Sequence, residues 1–486
     1  MIDGRQTCLL VLAVVLCFGC ATMPPKDGHS VGQADCPEPV RLPPTSAELT
    51  TYSPGGAETH LVAYHQDPTP VVSDALSEGP TPLEQLVDYA VANNPEIAAA
   101  RSRAQALLWR VPQAQSLDDP MLSATVFLES IQTAAGPQDF MLSVSQKFPW
   151  FGKLTARGEI AHHGAQVAFA ELANVELGVV EQVKLAYYEL YFVDQAIAIY
   201  RQLEPRIQDV IQSTQSRYDA TDPKVGMETV LQAQVTLHKL QITLAELEQA
   251  RLKAVARLAK ALHVQEGMRL AIQPQLDQTT LPQQVESLVA MIEYCHPQLE
   301  AHREAIVRDD WSIDLANRNY WPDVNFGFNW NAMGSSGLSP VANGDDAFSL
   351  MVGVNLPIYK AKRDAAVQES HHRAWQSSQQ YDATRDTLRA QVEQLYAQAV
   401  EHDRVLQILN DEIIRKAEQA FDISIEAYRM NRIGFQQLID NYENLLRFQV
   451  DRYLRTTRRE QAIAQLERAV GCAVAEWNAN GPDGQP

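Results

Sequence analysis

A duplication of about 200 residues constrains this chain more than any other feature. Asn94-Pro95-Glu96-Ile97 is matched by His296-Pro297-Gln298-Leu299, and Asp119-Pro120 by Trp321-Pro322, both at an offset of 202. Phe140 through Pro149 (FMLSVSQKFP) matches Phe348 through Pro357 (FSLMVGVNLP), and Gly226 matches Gly434, both at an offset of 208. Anchors held in register over such a distance mean two copies of one supersecondary unit, with a period far beyond that of a solenoid.

Each copy reads as helix, two strands, long helix, turn and returning helix. Asn94 and Pro95 suit an N-cap and a first-turn position, which predicts a helix through about Leu108. Met121–Ser130 and Gln138–Lys147 follow as strand-like runs around the turn-forming Ala135-Gly136-Pro137. In the second run Phe140, Leu142 and Val144 alternate with Met141, Ser143 and Ser145, a period of two with one apolar face. The second copy alternates in the same way. Val324, Phe326, Phe328 and Trp330 are interleaved with Asn325, Gly327 and Asn329, and Phe348, Leu350, Val352 and Val354 with Ser349, Met351, Gly353 and Asn355. Runs of about ten residues suffice for tilted strands to cross a bilayer. A soluble hairpin on a sandwich is the other reading of patterns this short.

The long helices carry a stricter signal. Val179, Val183, Ala186, Leu190, Val193, Ile197 and Tyr200 step alternately by four and three, and Ile207, Ile211, Thr214 and Tyr218 continue the register past Glu204. In the second copy Leu388, Val392, Leu395, Ala399, Leu406, Leu409, Ile413, Ala420, Ile423 and Ala427 do likewise, with His402 and Lys416 at the missing steps. A sustained 3.5-residue repeat predicts left-handed supercoiling against a partner helix. Val230, Ala233, Leu237, Leu240, Leu244 and Leu247 supply that partner in the first copy. One helix over residues 160 to 218 would reach roughly 90 Å at about 1.5 Å per residue. Such a hairpin, present twice, is a strut or a tube wall.

The N-terminus reads as an export signal, with Arg5 ahead of the apolar core Leu9–Leu16, too short to stop in a membrane. Gly19-Cys20 resembles a lipoprotein cleavage site with Cys20 acylated, although Cys17 and Phe18 depart from the usual pattern. A plain signal peptide cut nearby is the alternative. Residues 21 to 82 hold 11 of the 26 prolines, which predicts an extended tether. The expected organisation is a signal peptide at 1–19, a tether at 20–81, channel repeats at 82–274 and 275–473, and a flexible tail at 474–486.

Composition removes several function classes. Sixty acidic residues against 40 basic ones, a formal charge of −20, argue against a nucleic-acid partner. Cys36, Cys295 and Cys472 remain if Cys8 and Cys17 leave with the signal and Cys20 is lipidated, too few and too scattered for a zinc site or a disulfide framework. His162-His163 and His371-His372 are adjacent residues pointing about 100° apart on a helix, so neither pair chelates alone. Asp309-Asp310 and Asp345-Asp346 read as loop charges near strand ends. No nucleophile elbow, phosphate loop or HExxH pattern is present, so no catalytic residue, cofactor or metal is expected.

The order of elements, the duplication and the motif Phe148-Pro149-Trp150-Phe151-Gly152-Lys153 resemble the TolC family of outer-membrane efflux channels over roughly residues 82 to 473. The second copy departs at that motif, reading Leu356-Pro357-Ile358-Tyr359-Lys360 without the glycine. The resemblance implies a mainly α fold with a transmembrane β-barrel part. Three chains would each give four strands to a twelve-stranded barrel and their paired helices to an α-helical tunnel. The chain alone cannot close a barrel, and open strand edges are not tolerated in lipid. Pro149, Gly152 and Pro357 would mark the switch from strand to helix, since a residue lacking an N–H ends a ladder. Gly226 and Gly434 would be the turn glycines at the periplasmic tips.

The family's gate carboxylates, six and nine residues after the second turn glycine, fall here on Asp440 and Glu443; the first copy has Gln232 at the matching place. The family's closing contacts fall on Asn431 and Gln436, which lack the usual charge and phenol, so Arg429 or Arg432 is expected to close the tip instead. The implied setting is the outer membrane of a Gram-negative bacterium. The implied function is the passive exit duct of a tripartite pump, whose partners are a periplasmic adaptor docked near residues 219–228 and 429–437, an inner-membrane transporter and outer-membrane lipid. An adaptor protein is the alternative, but it should carry one hairpin flanked by small β-rich domains.

Overall fold

The computed structural model describes residues 80–220, 225–264, 271–276, 279–282, 284–335 and 344–472. The export signal, Cys20, Cys36 and residues 473–486 lie outside them. The order of elements repeats as expected. The first half runs β1 (Pro80–Thr81), α1 (Leu83–Asn93), α2 (Pro95–Leu108), α3 (Arg110–Gln115), β2 (Met121–Thr133), β3 (Gly136–Phe148), α4 (Lys153–Asp219) and α5 (Met227–Leu262). The second runs β4 (Ala271–Ile272), α6 (Val285–Cys295), α7 (Pro297–Arg318), β5 (Val324–Met333), β6 (Ala347–Val354), α8 (Lys360–Ile408), a π-helical turn (Leu409–Ile413), α9 (Ile414–Arg429) and α10 (Phe435–Val470).

The helix start at Pro95 follows from its cap. Asn94 Oδ1 accepts from the Glu96 N–H at 2.7 Å and the Ile97 N–H at 3.4 Å, two donors that helical geometry leaves unpaired. The second repeat makes the same cap with an imidazole: His296 Nδ1 accepts from the Gln298 N–H at 3.1 Å. Burial, reinforced by the Arg468 guanidinium, pulls the His296 pKa down to about 4, so the ring stays neutral and keeps its acceptor.

The 67 residues of α4 span about 100 Å. The stripe from Val179 to Ile197 is buried as the heptads require. A second set, Tyr187, Tyr188, Tyr191, Ile199 and Leu203, is buried too, because α4 packs against α5 on one side and α10 on another. A one-partner heptad cannot register that second seam. The aspartates read as loop charges also need correction at one site. Asp309 lies inside α7 and is buried, accepting from Ser377 Oγ at 2.5 Å beside Arg308, whereas Asp346 is a loop residue that accepts from Trp330 Nε1 at 2.9 Å.

The second long helix departs from its sequence period. Leu388, Val392, Ala399, Leu406 and Leu409 are buried on schedule, but beyond them Ile414, Phe421, Ser424 and Tyr428 are buried, while Ala420 and Ile423 are exposed. The π turn at Leu409–Ile413 takes up one extra residue, which displaces the inward positions by one for the rest of the helix. The repeat geometry shows what that residue does. Lys153 and Lys360, where the long helices start, are 207 positions apart, and Met227 and Phe435, where the returning helices start, are 208 apart. The residue missing from the second junction motif is thus recovered inside the helix, and the tips realign. The first repeat carries Pro205 at the corresponding depth of α4.

Candidate channel and gate

The four strands form one antiparallel sheet in the order β2-β3-β5-β6. Leu142 sits opposite Trp330, Val144 opposite Phe328, and Phe328 opposite Leu350, so the apolar alternations of all strands share one face. That face is bare: Leu350 is 84% exposed and Val352 65%. The other face carries Ser143, Ser145, Asn325, Asn329 and Ser349, with Gly327 among them. An apolar surface this size is an aggregation hazard in water and an ordinary lipid contact in a bilayer. Outer strands β2 and β6 each have one edge without a partner strand among the described residues. Among the described residues no helix is long and apolar enough to cross a membrane.

Strand passes to helix between Phe148 and Lys153, and the second repeat clasps that passage. Pro149 follows the last residue of β3, and the Trp150 N–H donates to Asp323 Oδ1 at 3.0 Å. Lys153 Nζ, on a nearly fully buried side chain, reaches the same oxygen at 2.7 Å and the Trp321 carbonyl at 2.9 Å. Trp150 stacks on Trp321 with centroids 5.2 Å apart. Gly152 has a φ of +81°, a left-handed conformation that demands glycine; a Cβ there would fall 2.1 Å from Arg318 Nη1, the movable end of a long side chain. At the second junction Pro357 precedes an exposed Lys360, and the ties there stay within the second repeat: the Asp323 N–H donates to Asn355 Oδ1 at 2.5 Å and Arg363 Nε to the Asn319 carbonyl at 2.8 Å.

At the opposite end, Gly226 and Gly434 are the N-caps of α5 and α10, with nearly the same backbone (φ −86°, ψ 166° and φ −81°, ψ 161°). Neither glycine is demanded by its conformation, and a Cβ on either would meet nothing within 4 Å. The left-handed residue of the second tip is Asn431, at φ +58°. The Arg432 N–H donates to the Ala427 carbonyl at 2.8 Å and the Asn431 N–H to that of Tyr428 at 3.0 Å, a Schellman end to α9.

Asp440 and Glu443 lie exposed on one face of α10, three residues apart, while Phe435, Leu438, Ile439, Tyr442 and Leu445 bury the opposite face. Gln436 donates to Asp440 Oδ1 at 2.8 Å from the preceding turn. Arg447 extends the same exposed stripe one turn further. Within one chain, Arg429 and Arg432 make no side-chain bond from one hairpin to the other among the described residues. Arg429 pairs with Glu426 of its own helix at 3.0 Å, an i,i+3 contact. Within the chain the two hairpins are bridged by other groups. Thr214 Oγ1 and Tyr428 Oη are 2.8 Å apart, the Arg217 guanidinium lies 4.9 Å from the Tyr428 ring centre, and Arg206 pairs with Asp422 beside the Phe421 ring. The heptad places Thr214 inward, which was the one available signal. Tyr428 comes inward only through the π turn.

The profile of the outer membrane efflux protein family matches residues 86–263 and again residues 292–471. The chain belongs to that family. Its fold agrees with solved outer-membrane channels at low sequence identity. The chain is similar to the channel OprN (16% identical, TM-score 0.69, covering 81% of this chain and 90% of that one). It is similar to VceC from Vibrio cholerae (18%, 0.68, 81% and 96%) and to the open state of MtrE from Neisseria gonorrhoeae (16%, 0.63, 81% and 89%). No curated protein matches at the sequence level. Membership decides between the two readings of the strands: the bare sheet is the membrane part of an outer-membrane efflux channel. It also removes the adaptor alternative, since the family profile is matched once by each half.

Proposed function

We propose that three copies of this chain assemble into the passive exit duct of a tripartite efflux pump. The observation that carries the reading is the four-stranded sheet, apolar on one face and polar on the other, with an open edge on each side. Pairing β6 of one chain with β2 of the next satisfies both edges, and three chains give a closed barrel of twelve strands with a polar lumen. The paired helices continue that lumen as a tunnel across the periplasm. The signal peptide (1–19), lipidated Cys20 and the tether (20–81) would anchor each chain to outer-membrane lipid, ahead of repeats at 82–274 and 275–473 and a tail at 474–486. Pro149, Gly152 and Pro357 are the strand-to-helix switch.

Asp440 and Glu443 are assigned to the aperture, where three copies bring six carboxylates around one axis and attract cations. Arg447 one turn away borders that ring with positive charge and limits the selectivity. The helix tips near residues 219–228 and 429–437, turned at Gly226 and Gly434, would receive the helical hairpin of a periplasmic adaptor. That adaptor would join the channel to an inner-membrane transporter. Single-channel recording of purified protein in a planar bilayer tests the reading. Small cation-selective steps are expected, with a reversal potential in a salt gradient that falls for Asp440→Asn combined with Glu443→Gln. An unchanged reversal potential would move the aperture elsewhere, and silence from both folded proteins would remove the channel.

A further inference from the structure

Two cysteines that are far apart in sequence meet at the end of the second repeat. Cys295 is the last residue of α6, and Cys472 follows Gly471, the left-handed cap of α10. The Cys472 side chain is within hydrogen-bonding reach of the Cys295 thiol. Gly471 makes the approach possible. At its φ of +96° a Cβ would lie 2.8 Å from the Cys295 carbonyl oxygen and 2.7 Å from the His296 Cα, so only glycine lets the two backbones come this close. Both cysteines are half-buried, and Cys472 packs against the cluster of Leu288, Met291, Ile292 and Val470.

We propose that Cys295 and Cys472 form a disulfide in the mature protein, which closes the second repeat into a covalent loop. The proposal rests on the export reading, because disulfides persist in the periplasm and are rare in the cytosol. The oxidant is a disulfide-carrying thiol oxidase of that compartment. The Cys295 thiolate attacks one sulfur of the donor disulfide, forming a mixed disulfide and expelling the donor's other sulfur as a thiolate. Cys472, losing its proton to water, then attacks the Cys295 sulfur and expels the second donor thiolate. The chain loses two electrons and two protons, and the donor disulfide becomes a dithiol. The hydrogen bond from Cys472, only partly offset by burial, pulls the Cys295 pKa down to about 7, so much of it is thiolate at neutral pH.

Metal capture is the competing use of paired thiols, and the surroundings do not favour it. His296 is occupied, with Nδ1 accepting from Gln298 and the ring bonded to the Arg468 backbone. No group of three or more metal-ligating side chains occurs among the described residues. The repeat-related positions of the first half hold Asn93 and Val264, so the bond belongs to the second repeat alone. A crosslink there restricts the unfolded chain over α7 through α10.

The test uses the full chain from its outer-membrane fraction, blocked with N-ethylmaleimide at lysis and digested with trypsin without reductant. The expected result is a linked pair of peptides, 270–303 and 469–486, that separates on reduction. Reductant should also lower the thermal midpoint of the trimer by several degrees in the wild type and leave Cys295→Ser with Cys472→Ser unchanged. Maleimide on both cysteines of outer-membrane material would overturn the disulfide and leave the channel reading intact. Recovery of the chain in the cytosol would overturn both.

Discussion

Lys153 Nζ lies 2.7 Å from Asp323 Oδ1, and the two residues belong to different repeats. Lys153 begins the 67-residue helix α4, while Asp323 stands immediately before strand β5. The pair therefore fixes where the first repeat leaves the sheet by a charge supplied from the second. Trp150, stacked on Trp321, and the Trp150 N–H on Asp323 complete the joint.

Removing the carboxylate strands a buried ammonium. Asp323→Asn should destabilise the fold by about 3 kcal/mol, and Gly152→Ala, which forces a Cβ into a left-handed backbone, by about 1–2 kcal/mol. The thermal midpoint and the yield of folded trimer from membranes measure both. Lys360→Met, at the exposed counterpart in the second repeat, should leave the isolated chain's stability unchanged within about 0.5 kcal/mol.

The π turn predicts an asymmetry between two deletions. Deleting Asn410 should convert the turn to regular α-helix while Leu406, Ile414, Phe421 and Tyr428 keep facing inward. Deleting Glu418, in regular helix, should rotate Phe421 and Tyr428 out by about 100°. Circular dichroism melting and trimer formation are expected to survive the first deletion and to fail in the second.

His296 couples the second repeat to acid. Its folded pKa of about 4 lies below the ordinary histidine value, so the unfolded chain takes up a proton first as pH falls. Its contribution is fully present above about pH 6.5, declines as pH drops to about 4, and is constant below that, with a total on the order of 3 kcal/mol. His296→Asn, which installs the first repeat's cap, should flatten the denaturant midpoint against pH over that window. An equally steep profile in the variant would assign the acid sensitivity to another group.

The tip bridge predicts an opening mutant. Arg217→Ala removes the guanidinium from the Tyr428 ring, and Tyr428→Phe removes the phenol from Thr214 while keeping the ring. Each loses a contact of about 0.5–1.5 kcal/mol, so single-channel open probability should rise severalfold in each and further in the pair. Arg429→Ala, whose partner lies on its own helix, should record like the wild type.

The architecture was legible because it is written in local periods. The 202 and 208 offsets, the two-residue alternation of Phe348 through Val354 and the Asn94-Pro95 start are sequence patterns with one structural meaning each. Boundaries were less so: β2 runs to Thr133 and β3 to Phe148, beyond the runs ending at Ser130 and Lys147, because cross-strand hydrogen bonding extends past the apolar alternation. The aperture assignment to Asp440 and Glu443 came from counting after Gly434; the bridge through Tyr428 could not, since it depends on which face of α9 turns inward.

By itself the sequence determined the two equivalent halves, their strands and long helices, and the apolar alternation on one face of the sheet. Those properties depend on neighbours a few residues away, which periodicity records. Only the tertiary structure decided the Lys153–Asp323 joint, the π turn that realigns the tips, the Thr214–Tyr428 bridge and the meeting of Cys295 with Cys472. Each brings together side chains separated by at least 170 positions, or resolves a one-residue mismatch between the repeats. The physical reason is the same in both cases: a helix period fixes a direction for each side chain, but packing against the other repeat decides which direction is buried.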